Sequence, residues 1–139
     1  MVRGWVAKAE NDLKTAAHVL TLEDQCPTDT VAFHAQQCVE KYLKAMLVFH
    51  AIDFPKVHDI EKLVRLLPAE VPMDWPISEQ RRLTQYAAVT RYPGDYDPIP
   101  LAEARQAVRI AKRVRREIRK LLPKAATRQP PAPRQQKSP

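Results

Sequence analysis

The chain has 139 residues, 45% of them hydrophobic, with a formal net charge of +7, 13 prolines, two glycines and only 6% aromatic residues. That length suits one domain with a real core. So few glycines disfavour a tight-turned β protein, and no apolar run approaches the length of a membrane span. The N-terminus, MVRGWVAKAEND, lacks the apolar core of a signal peptide, so the expectation is a cytoplasmic protein with no membrane contact.

Charge is divided along the chain. Residues 1–104 hold 11 Lys/Arg against 15 Asp/Glu, a net of −4, whereas residues 105–139 hold 12 against one, a net of +11. A basic end of this kind points to a polyanion or an acidic partner, or simply to solubility. Cys26 and Cys38 have no metal spacing and read as ordinary thiols in a reducing compartment.

Val2 to Leu22 is predicted as the first helix, since Val6, Ala9, Leu13, Ala16, Ala17 and Leu20 recur at three- and four-residue steps. Glu10 and Lys14 stand at i,i+4 in the favourable order for a surface pair. Asn11 and Asp12 are weak helix formers; they are either solvated, or Asp12 faces a cation or the second helix. Pro27 marks a break, with Thr28, Asp29 or Thr30 available as the next N-cap.

Val31 to His50 contains no Gly or Pro and forms the second helix. Ala32, Ala35, Val39, Tyr42, Leu43, Met46 and Phe49 share one broad face. His34, Gln37, Lys41 and Lys44 fall within a sector of roughly 80° on another. Pro55 forbids continuation. Val57 to Leu67 reads as a short third helix in which Asp59 complements the positive helix end and His58, on spacing alone, bonds the local backbone.

A stiff connector, Pro68 to Pro76, leads to a fourth helix over Ile77 to Thr90, with Leu83, Tyr86, Ala87 and Thr90 packed and Arg81 and Arg82 solvated. The helix stops at Pro93-Gly94. The loop from Arg91 to Asp97 carries one Arg, two Tyr and two Asp, chemistry that tends to be functional on a rigid scaffold. Its bland alternative is a surface loop pinned by Tyr92 and Tyr96, with Arg91 paired to an aspartate.

Leu101 to Leu122 is the fifth helix. Ala104, Ala107, Val108, Ala111, Val114, Ile118 and Leu121/Leu122 form its apolar stripe, surrounded by arginines and lysines. Beyond Pro123 the Pro-, Gln- and Arg-rich segment cannot build a core. The expected organisation is an all-α, antiparallel up-and-down bundle of four to five helices over residues 1–122, with a disordered basic tail over 123–139.

Several chemistries find no support. Only Gly4 and Gly94 are glycines, so there is no phosphate-cradling glycine loop. His18, His34, His50 and His58 have no zinc spacing, and Ser78 and Ser138 have no nucleophile elbow. No metal and no cofactor is expected. Gln37, Lys41, Lys44, His58, Arg91 and Tyr92 remain, a set able to grip a phosphate through lysine point charges and a planar guanidinium.

At these residues the sequence resembles the HEPN domain family. The matching segments are Ala9-Glu-Asn-Asp-Leu13, Phe33-His-Ala-Gln-Gln37 with Glu40-Lys41-Tyr-Leu-Lys44-Ala45, His58-Asp59-Ile60 with Leu63, and Thr90-Arg-Tyr-Pro93, in order over roughly residues 5 to 121. The resemblance implies an up-and-down helical bundle, often dimeric, and frequently encoded beside a small nucleotidyltransferase as in toxin–antitoxin pairs. Many members are ribonucleases with an Arg followed four to six residues later by a His. Arg91 matches that arginine, but no histidine follows it anywhere in the chain. Proton transfer near neutral pH is usually the work of His, so this departure argues against cleavage.

The resulting expectation is a non-catalytic nucleotide- or RNA-binding subunit, a homodimer acting with a nucleotidyltransferase-domain partner. Lys41, Lys44 and Arg91 would contact phosphate, Tyr92 would stack on a base, and Gln37 and His58 would orient the others. Two alternatives stand beside it: a ribonuclease toxin using Arg91 with Tyr96, Asp97 or His58, and a purely structural interaction subunit.

Overall fold

The computed structural model describes residues 1–88 and 97–128. Its elements are α1 (Val2–Leu20), α2 (Thr28–Phe49), α3 (Ile60–Leu66), α4 (Ile77–Tyr86), α5 (Leu101–Leu121) and the short α6 (Lys124–Thr127). Among the described residues there is no strand, and no helix is long and apolar enough to cross a membrane. The bundle is all-helical, as the periodicity requires.

α2 is the helix on which the others converge, touching α1, α3, α4 and α5. Ala32, Ala35, Val39, Tyr42, Leu43 and Met46 are all fully buried, but Phe49, predicted on the same face, is exposed because α2 has passed the edge of the core there. α1 runs antiparallel to α2: Trp5 lies by Lys44, and Asp12 reaches His34 and Lys41. α4 runs antiparallel to α5, with Tyr86 bonded to Glu103 and Glu79 to Arg113. The apolar stripe of α5 is buried from Ala104 to Ile118 and ends on Leu122, while Leu121 faces outwards.

The helix ends differ from the predicted ones for local reasons. α1 stops at Leu20, and Glu23–Gln25 makes a short 3-10 turn before Pro27, which occupies the N-cap of α2. α2 ends well before Pro55. The Ile52 N–H bonds the Leu47 carbonyl, the Ala51 N–H bonds that of Val48, and Ala51 sits at φ 56°, a Schellman closure with alanine where glycine is favoured. α3 is shorter than predicted because Asp59 is its N-cap, its carboxylate accepting from the Lys62 N–H at 3.1 Å.

Glu10 makes no surface pair with Lys14. It is buried between α1 and α5, where Arg115 and Arg119 both bond it at 2.8 Å. Arg81 and Arg82 are exposed as predicted, yet each meets a carboxylate, Glu61 and Glu103 respectively. In the segment assigned to a tail, Lys124–Thr127 makes one helical turn, whose Thr127 carbonyl accepts from Arg119 at 3.1 Å.

Candidate functional site

A polar ribbon runs along α2 between α1 and the segment leading into α3. Helical geometry sets it: Gln36, Glu40 and Lys44 stand at four-residue steps, and His34, Gln37 and Lys41 form the adjoining row. Two buried carboxylates organise it.

The first is Asp12. Its two oxygens are shared between His34 Nδ1, at 2.8 Å, and the Lys41 ammonium. The second is Glu40, whose side chain is only 3% exposed. Lys44 donates to it at 3.1 Å, Gln36 at 3.1 Å and His58 Nδ1 at 2.8 Å. Gln36 also donates to the His58 carbonyl and accepts from Gln37. Burying a carboxylate is tolerable only when paired and hydrogen-bonded in this way.

The predicted site residues therefore separate. Lys44 is an interior group, 8% exposed, held by Glu40 and stacked 5.5 Å from the Trp5 ring and 5.7 Å from that of Phe54. Such a site gains cation–π stabilisation but offers little access. Lys41 is 21% exposed and uses one of its three donors on Asp12. His58 does not bond the local backbone through its ring; it bonds Glu40, and its side chain is 48% exposed. Since the carboxylate accepts, Nδ1 is the donor of this bond, and Nε2 makes no hydrogen bond among the described residues.

The α3 N-terminus also adjoins α4, where the Ile60 N–H donates to Thr84 Oγ1 at 2.9 Å. Arg91, Tyr92 and Tyr96, together with Thr90, lie outside the described residues; Asp97 is described and exposed. Among the described residues no three His, Cys, Asp or Glu side chains cluster as metal ligands would.

Sequence reasoning missed Glu40 and Gln36 as organisers, and left Asp12 undecided. A signal for Glu40 was available: it stands at i,i+4 before Lys44, the favoured order for a helical ion pair. The second cluster, of Glu10, Arg115, Arg119 and Tyr42, joins residues more than 100 positions apart and had no such signal.

The HEPN domain family model matches residues 2–121. The chain belongs to the HEPN family. Two solved structures share its architecture. TT1696 from Thermus thermophilus has 26% sequence identity and a TM-score of 0.72, covering 87% of this chain and 98% of its own. ST0689, described as an archaeal HEPN homologue, has 23% identity and a TM-score of 0.66, covering 87% and 97% respectively. No curated protein matches the chain. The α2 ribbon and the His58 junction thus belong to a HEPN bundle.

Proposed function

We propose that this HEPN protein binds a phosphate-bearing ligand, a nucleotide or RNA, as a non-catalytic subunit. It would work as a homodimer with a nucleotidyltransferase-domain partner, in a toxin–antitoxin-like arrangement. The observation that carries the reading is the fixing of Lys41 and His58 by the buried carboxylates Asp12 and Glu40, with both side chains partly exposed. Groups held in place lose little entropy when a ligand arrives. Lys41 supplies the charge, His58 and Gln37 the hydrogen bonds, and Lys44 supports Glu40 from within. Arg91 and Tyr92 complete the set on sequence grounds.

The test is ligand-induced thermal protection of the full chain by ATP and by a short RNA, compared with Lys41→Gln and Arg91→Gln. Ligand at a hundredfold excess over Kd stabilises by about 2.7 kcal/mol, a readily measured rise in melting temperature. Protection of the wild type that is lost in the variants supports the reading. No protection by either ligand rejects it.

One observation favours ribonuclease chemistry as a second reading. A half-exposed imidazole oriented by a buried carboxylate is the arrangement of a general base, and His58 with Glu40 has it. His58 Nε2 would take the proton of a ribose 2′-hydroxyl as its oxygen attacks the adjacent phosphorus. A 2′,3′-cyclic phosphate would close while the P–O5′ bond breaks and the departing 5′-oxygen takes a proton from water. Metal-free cleavage of labelled RNA, abolished by both His58→Ala and Arg91→Ala, would replace the binding reading with this one. Intact RNA in every lane would dismiss it.

A further inference from the structure

The arginines and lysines of α5 do not simply surround its apolar stripe. Arg105, Arg109, Lys112, Arg116 and Lys120 follow one another at steps of four, three, four and four residues, and all five are exposed. At about 100° per residue they fall within a sector of roughly 80°. The row is about 22 Å long at 1.5 Å per residue. Among the described residues only Lys120 of these five meets a carboxylate, Glu117 at 3.6 Å, and Arg109 bonds the neutral Gln106.

Beside the C-terminal half of this ridge lies an open groove of about 550 Å³. It is lined by Leu13, Lys112, Arg115, Arg116, Arg119 and Lys120. Arg115 and Arg119 are tied to Glu10, so the groove has two fixed guanidiniums on its inner side and lysines or arginines along its rim. The carboxylate that fixes them sits buried beneath, not on the ridge.

We propose that this ridge and groove form a docking track for the sugar–phosphate backbone of a nucleic acid, separate from the α2 ribbon. The length matches about six nucleotides of a stacked strand at 3.4 Å per phosphate. Guanidinium groups pair phosphates in a bidentate manner. Other polyanionic occupants fit less well. A protein interface sets its arginines around a desolvated centre of aromatic and apolar anchors, and α5 has no aromatic residue and no large apolar side chain in this sector to form that centre. Insertion into a lipid surface needs a free apolar face, and that of α5 is buried in the core from Ala104 to Ile118.

The contacts are to phosphates, so binding is sequence-tolerant and strongly salt-dependent. The proposal is tested by fluorescence anisotropy of a labelled 20-nucleotide RNA with the full chain between 50 and 200 mM salt. The variant is the triple substitution Arg109→Gln, Lys112→Gln and Arg116→Gln, at exposed positions whose loss leaves the core intact. Wild-type binding is expected to fall with salt at a log–log slope near −3.5, about −0.7 for each of five single-strand phosphates neutralised. The triple variant is expected to bind at least tenfold more weakly with a slope shallower by about 2, while its circular dichroism and melting temperature match the wild type.

Equal RNA affinity and equal slope in wild type and variant would overturn the track. So would the absence of RNA binding together with ridge-dependent binding to phosphatidylserine vesicles or to polyglutamate. Thermal protection by ATP serves as the contrast: it reads the α2 ribbon, and it is expected to be lost in Lys41→Gln and kept in the triple ridge variant, so failure of the α2 ribbon and failure of the ridge give different results.

Discussion

Arg119, near the end of α5, donates to the buried carboxylate of Glu10 on α1 at 2.8 Å, across 109 positions of chain. The same guanidinium bonds the Thr127 carbonyl and touches the Tyr42 hydroxyl at 3.4 Å, so one side chain ties α1, α2, α5 and α6 together. Arg115 completes the pairing on the other side of Glu10. Removing the carboxylate leaves two neighbouring guanidiniums of α5 against α1 without their shared counter-charge. A fully buried pair broken this way costs about 3–5 kcal/mol; here the arginines keep part of their hydration, so Glu10→Ala is expected to cost about 2 kcal/mol. Urea unfolding of the variant checks this, and a midpoint equal to the wild type would show the cluster to be energetically neutral.

This cluster also marks where the sequence stopped being legible. The helices themselves were plain, because Ala104, Ala107, Val108, Ala111, Val114 and Ile118 repeat at the spacing a buried helical face demands. Periodicity assigns a residue to a face but not to a partner. Glu10 could be placed on α1 yet not against α5, and the nearer Lys14 was the natural candidate. The same limit applied to Lys41 and Lys44. They share a sector of α2 with His34 and Gln37, but Lys41 is held with His34 by Asp12 of α1, which periodicity does not reveal. Lys44, in contrast, pairs with Glu40 on its own helix beneath Trp5 and Phe54. The short polar side chains before α3 were clearer once the cap was seen, since Asp59 both starts the helix and leaves His58 outside it, where it can reach Glu40.

Ala51 closes α2 in the left-handed region, φ 56°, while its neighbours make both hydrogen bonds of a Schellman motif. An L-residue with a Cβ is strained there by about 1 kcal/mol, and glycine is not. Ala51→Gly therefore removes strain in the folded state but adds freedom to the unfolded one. The strain outweighs the entropy at a positive φ, and a net gain of about 0.5 kcal/mol is expected. A lower thermal midpoint in the variant would contradict it.

Cys38 is fully buried on α2, and burial first, then the nearby Glu10 and Asp12 carboxylates, push its thiol far above the ordinary range. Cys26, between α1 and α2, is partly exposed, and its thiol is raised mainly by desolvation, with Arg105 acting in the opposite sense. The thiolate is the reactive form, so the two should differ sharply. Iodoacetamide on the native protein is expected to modify Cys26 alone, and both cysteines only after denaturation. Peptide mass mapping reads this directly, and equal labelling of Cys38 in the native state would mean that α2 opens far more often than its packing implies.

Glu103 on α5 accepts from the Tyr86 hydroxyl at 2.6 Å and from Arg82 at 2.7 Å. The Tyr86 hydrogen bond first, and then the Arg82 bond and charge, hold its carboxyl below the usual carboxylate range against the opposing effect of partial burial. The sign of the pH effect follows. A folded-state value below the unfolded one means that the unfolded chain takes up the proton more readily, so stability is present above the ordinary glutamate value and declines as acid reaches the folded one. Arg82 is exposed, which keeps the contribution below about 1 kcal/mol. The stability difference between wild type and Glu103→Gln should therefore stay constant from pH 7 to about 5 and shrink below about pH 4, the ordinary range of a glutamate. Urea midpoints measured across that interval decide it: a difference that persists unchanged in acid would mean that Tyr86 and Arg82 do not distinguish the charged carboxylate from its neutral form.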